Sequence, residues 1–276
     1  DLAGAESLDP RTSSISQWKG EAAAALGRWE EAARDFTRAG ELDANGRRSR
    51  AWLSLVLFKL GRLDSSSVVL APLLEKAVSL ARAGEHAAAA EILGDILEVI
   101  PEHKASLELR SEAWRCLREH GRAVADRRTL AALQPGAPEP LVSLGAAKRA
   151  ALDFQGALAA ADRALELNPS RPSSWVLRSE ALRNLGRFEE AVEAARRAVE
   201  IDPSAAWPLV VRAKALRQSG NLKDAGRDAE KAVALAPGDA KAQAWRGEIL
   251  RKQGLGREAV LAVPADPAVA GQGLLS

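Results

Sequence analysis

The chain has 276 residues with 39 basic against 37 acidic side chains, so no bulk charge excess calls for nucleic acid as a partner. Its single cysteine, Cys116, excludes an internal disulfide and fits a reducing compartment, with the cytoplasm favoured. No apolar run approaches the ~20 residues that a membrane-spanning helix needs; the most apolar stretch, Ala51 to Leu60, is short and carries Lys59.

The clearest unit runs from Arg171 to Ser204, RPSSWVLRSEALRNLGRFEEAVEAARRAVEIDPS. A first helix is expected from about Ser173 to Leu185. Gly186 ends it, because a left-handed residue is easiest without a Cβ. A second helix is expected from about Glu189 to Ile201, closed by Asp202-Pro203. The pattern returns every 34 residues: prolines at 101, 135, 169, 203 and 237, alanines at 89, 123, 157, 191, 225 and 259, and turn glycines at 84, 186, 220 and 254. On these residues the chain resembles the tetratricopeptide repeat family, whose unit is a helix–turn–helix of that length. The resemblance implies an all-α, right-handed superhelical solenoid with a concave binding face, and contacts that stay local to neighbouring repeats.

Taken in order, residues 1–12 read as the end of a preceding repeat, since Ala5 occupies the slot of Ala39. With no methionine anywhere, the chain is expected to be a piece of a longer protein. N-terminal units span 13–63, with the signature LGRWEEAARDF (Leu26 to Phe36) and a further first helix from about Arg50 to Leu60. The phase then breaks: from Ala44 to Pro101 is 57 residues, eleven short of two periods. The stretch 64–69 is therefore expected to be a broken repeat or a linker, with a flexible segment missing around Asp64-Ser67 favoured over a short repeat. A C-terminal array spans 70–262, and Pro264, Pro267 and Gly271 make 263–276 an irregular tail.

The resemblance also places the first helix of each repeat on the concave face, with its twelfth position pointing into the groove. Here that position is Arg115, Arg149, Arg183, Arg217 and Arg251. Arginine forks match carboxylates and phosphates, so the column suits an acidic or extended partner segment. Glu112, Glu180 and Glu248 stand three residues before three of them, and such pairs are ordinary helix-surface partners. The uncompensated stretch is then Arg149, Lys214 and Arg217, with Arg183 between; the alternative is a solvated face inherited with the repeat. Trp207, beside Pro208, is a candidate stacking anchor or a packing residue. A second column, Arg110, Arg178, Arg212 and Arg246, is expected to lay its stems along neighbouring helices.

No cofactor or metal is expected. His86, His103 and His120 lack the convergent spacing of a zinc site. No phosphate loop, nucleophile elbow or paired-carboxylate motif occurs, so the chain reads as non-catalytic. Two branches of the family fit poorly. Co-chaperones that grip acidic chain termini need lysine and asparagine where Gln17 and Glu21 stand. The repeat arm of O-linked GlcNAc transferases carries asparagines where Leu109, Ser143, Leu177, Val211 and Trp245 stand. Gly94 to Asp126, including Cys116, resembles the repeats of J-domain co-chaperones of the endoplasmic reticulum type, although the His-Pro-Asp of a J domain is absent. The expected function is a protein–protein interaction scaffold or adaptor with a basic groove, as a possible subunit of a larger assembly. The alternative is a co-chaperone module that holds unfolded clients, which would place it in the endoplasmic reticulum lumen.

Overall fold

A computed structural model describes residues 13–43 and 46–254. Its described residues form fourteen α-helices and no strand, in two compact units that meet between Leu133 and Gln134. The expectations for 1–12 and 263–276 lie outside the described residues.

The first unit contains α1 (Ser13–Ala25), α2 (Trp29–Leu42), α3 (Arg47–Lys59), α4 (Leu63–Arg82), α5 (His86–Val99), α6 (Lys104–Cys116) and α7 (His120–Leu133). Small residues set the spacing of its helices. Ala32, Ala39 and Phe36 are fully buried on one face of α2. Gly20 gives the Phe36 ring its room, since a Cβ there would lie 2.9 Å from it. Trp52 of α3 stacks on the same ring, with centroids 5.6 Å apart and planes 5° apart.

Of the two readings of 64–69, broken repeat or linker, α4 corrects the linker. Residues 63–82 form one continuous helix of 20 residues, with Pro72 inside it. A second helix of one repeat runs straight into the first helix of the next. The eleven-residue shortfall is the turn and helix ends that this fusion removes. Ser66, read as part of a break, is a core contact. Its hydroxyl donates to the Ser54 carbonyl at 2.9 Å, and the Ser54 hydroxyl reaches the Ser66 carbonyl at 2.9 Å. Ser179 makes the equivalent contact across the helix pair of the second unit, donating to the Ala191 carbonyl at 2.7 Å. The fusion also brings α5 against α3, where Arg47 pairs with Glu91 at 2.7 Å and Asp95 at 2.8 Å.

The second unit contains α8 (Pro138–Ala150), α9 (Phe154–Leu167), α10 (Pro172–Asn184), α11 (Phe188–Ile201), α12 (Ala206–Gln218), α13 (Leu222–Leu235) and α14 (Ala240–Lys252). Ala157, Ala191 and Ala225 of the second helices are fully buried, as their 34-residue recurrence requires. Asp153, Asn221 and Asp239 cap α9, α13 and α14 by accepting from backbone N–H groups of the first turn. Gly186 and Gly220 turn the chain at φ 77° and 87°. Leu152 takes the same slot at φ 63°, as does Arg118 of the first unit at 61°. Each first helix touches the next, α8 on α10, α10 on α12 and α12 on α14, so the four form one layer. Gly145 of α8 permits that approach: a Cβ on it would lie 2.4 Å from Leu177 of α10.

The second arginine column lies across helices as expected, and three of its heads are paired, whereas the Arg246 Nε is buried with no hydrogen-bond partner among the described residues. Arg212 holds the buried Asp228 through two bonds of 2.6 Å, and Arg110 holds the buried Asp126 through bonds of 3.0 and 2.7 Å. Arg178 reaches Asp162 at 2.8 Å.

Candidate functional site

The five-arginine column divides into different environments. Arg115, in the first unit, is exposed and grips Glu112 of its own helix, with Nε donating at 2.8 Å. That bond holds the Glu112 carboxyl below its usual range. Arg251, on α14, likewise holds Glu248 with bonds of 3.1 and 2.8 Å. These two are neutralised one helical turn away, as their spacing anticipates.

Arg149, Arg183 and Arg217 differ. They stand at the same register on α8, α10 and α12, the neighbouring helices of one layer. Their Nε atoms are buried and have no hydrogen-bond partner among the described residues. Arg149 lies 3.5 Å from Glu180 of α10, too far and too poorly aligned to close a hydrogen bond. Arg149 is thus compensated across helices, which corrects its assignment to an uncompensated stretch. Glu180 gives its carboxylate to the preceding first helix, a pairing that spacing within one helix does not reveal. Arg183 donates to Gln218 at 3.3 Å. Burial is the main cause that lowers the Arg183 pKa, and its neighbours Arg149 and Arg217 add to it.

Lys214 sits at the centre. It is only 9% exposed, and its ammonium lies 4.7 Å from the Trp207 ring and 4.4 Å from the Trp245 ring. Burial pushes its pKa down to about 8; Glu180 opposes that shift, and Arg183, Arg149 and Lys241 reinforce it. The Arg217 guanidinium also lies over Trp245, at 5.6 Å. Two indole faces thus flank a largely buried cation.

Trp207 joins this cluster to a cleft of about 330 Å³ on the same face. Val142 and Ala146 of α8, Val176 and Leu177 of α10, and Pro208 of α12 line it with Trp207. Glu180 is its only charged wall. The arrangement offers apolar area beside partly buried cations, which is the composition of a recognition site. Spacing along the chain points Glu180 to Arg183 of its own helix rather than to Arg149, and it gives no sign of the roles of Trp245 and Gln218 or of the cleft. Residue type does carry a signal for Trp245: like Trp207 it is a tryptophan on a first helix, and the two flank Lys214.

The described residues bring together no group of His, Cys, Asp and Glu able to hold a metal ion. His103 caps α6, its Nδ1 accepting from the Ser106 N–H at 3.3 Å, and His86 and His120 open α5 and α7. No described helix is long and apolar enough to cross a membrane.

A family profile described as tetratricopeptide repeat matches residues 19–66, 143–206 and 210–268, more than half of the chain. No curated protein sequence matches. Among solved structures, a tetratricopeptide repeat protein from Parabacteroides merdae superposes with a TM-score of 0.60 at 17% identity, over 95% of this chain and 97% of that one. PilW, a type IV pilus biogenesis factor, gives 0.58 at 18% identity over 70% and 90%. Yeast Tom70 gives 0.55 at 17% over 84% and 55%. At such identities the likeness is one of fold.

Proposed function

The chain belongs to the tetratricopeptide repeat family, whose members mediate protein–protein interaction, and from that premise we propose that it is an adaptor binding an acidic, extended partner segment. The segment lies along α8, α10 and α12. Arg149, Arg183, Lys214 and Arg217 receive its carboxylates, and Trp207 flanks it. One observation carries this reading: on three successive first helices Arg149, Arg183 and Lys214 share the field of one carboxylate, Glu180, and Arg217 adjoins Arg183. One carboxylate does not offset four neighbouring cations, and an incoming anion supplies the missing negative charge. Arg115 and Arg251, each held by its own glutamate, contribute less.

The test is cross-linked capture from native lysate, comparing the chain with a variant carrying Arg149→Glu, Arg183→Glu and Arg217→Glu. A few stoichiometric partners that disappear with the variant are expected. The same partners captured equally by both proteins would overturn the groove. A broad mixture of unfolded clients, insensitive to the variant and to salt, would instead favour the client-holding module of a co-chaperone.

A further inference from the structure

The cleft and the cation cluster are one continuous surface, because Trp207 and Glu180 belong to both. Trp207 lines the cleft and lies under the Lys214 ammonium; Glu180 lines the cleft and faces Arg149. The lining is otherwise apolar apart from Ser173 and backbone, and its volume of about 330 Å³ leaves room for a bulky side chain. We infer that the site is a two-part receptor: a partner's aliphatic or aromatic side chain seats between Val142, Ala146, Val176, Leu177 and Trp207, while carboxylates beside it in sequence pair with Arg183, Lys214 and Arg217. This deepens the proposal above and rests on it.

Each part limits the ligand. A purely acidic segment leaves the cleft unfilled and Trp207 half-covered. A purely apolar one covers the arginine donors without giving them acceptors, at a desolvation cost. Glu180, standing inside the cluster, lowers its positive charge without cancelling it, so the site stays cationic beside the cleft. Ala146 is exposed at the lip of the cleft and sets its depth. It is the specificity-determining position, since a large residue there occupies the cleft without entering the core.

The test uses fluorescein-labelled peptides rich in aspartate and serine, identical except for a central leucine, phenylalanine or glycine. A further peptide carries the central leucine with every aspartate replaced by asparagine. Anisotropy titrations compare the unaltered chain with Ala146→Trp, whose fold is checked by its thermal midpoint. The leucine and phenylalanine peptides are expected to bind at least about tenfold more tightly than the glycine peptide, the size expected for burying one such side chain. Ala146→Trp removes that advantage. The asparagine peptide loses at least about tenfold. Equal affinity for leucine, phenylalanine and glycine peptides overturns the two-part receptor and leaves the acidic-segment reading standing. Asparagine and aspartate peptides that bind alike, or no binding by any peptide, overturns both. The leucine-to-glycine comparison is made in the peptide, so it stands even if the protein variant misfolds.

Discussion

Replacing Lys214 by methionine should stabilise the protein at neutral pH. An exposed lysine has a pKa of 10.5; between the two indoles Lys214 falls to about 8, mainly through burial. That difference corresponds to roughly 3 kcal/mol spent on keeping the ammonium charged inside the fold. The faces of Trp207 and Trp245 return part of it, about 1 kcal/mol each. Methionine fills a similar volume, needs no hydration and sits well against indole. The net gain for Lys214→Met at pH 7 is therefore about 1 kcal/mol. The pH dependence has a definite sign. The folded pKa lies below the unfolded one, so the charging cost is fully present below pH 8 and fades as pH rises from about 8 to 10.5. The advantage of the variant should shrink across that window. Urea unfolding of both proteins at pH 7, 8, 9 and 10, followed by tryptophan fluorescence, reads the difference directly and cancels every other titrating group. A variant less stable at pH 7, or a difference that does not change with pH, would refute the argument.

Three further predictions concern the scaffold. Leu152→Gly should raise the thermal midpoint, because leucine at φ 63° bears a left-handed penalty of about 1–2 kcal/mol that exceeds the entropy glycine loses on folding; an unchanged or lower midpoint contradicts it. Gly145→Ala should destabilise by about 1–3 kcal/mol in a denaturant titration, since its Cβ would drive into Leu177, whereas Gly40→Ala meets nothing and should stabilise by up to about 1 kcal/mol. Asp228→Ala should cost about 3–5 kcal/mol in the same titration, as it leaves the Arg212 guanidinium without its buried partner.

Much of this architecture is legible in the sequence because a tetratricopeptide unit repeats its packing requirements at one spacing. Ala157, Ala191 and Ala225 are small because helices meet there, and Gly186 and Gly220 are glycine because the chain turns left-handed there. Local preference hides the fused helix α4 for a physical reason. Ser65, Ser66, Ser67 and Pro72 are weak helix residues by local preference, yet Ser66 is held by its reciprocal bonds to Ser54. The proposed binding face was legible only by column. The register of Arg149, Arg183 and Arg217 is visible in the repeat. The partner chosen by Glu180 is not, since it sits 31 residues from Arg149 and depends on how α8 packs on α10. The same holds for Lys214, whose two tryptophans come from its own helix and the next first helix. Spacing within one helix describes neighbours along that helix; contacts between repeats need the packing itself.

The central claim is that the arginines of the first-helix layer bind a partner's acidic segment. The most direct measurement is calorimetric titration of the acidic leucine peptide at several salt concentrations, against the unaltered chain and against Arg183→Gln with Arg217→Gln. The account predicts affinity that falls steadily with salt for the unaltered chain, and a weaker, flatter dependence for the variant. Equal affinity and equal salt dependence in the two proteins would contradict it.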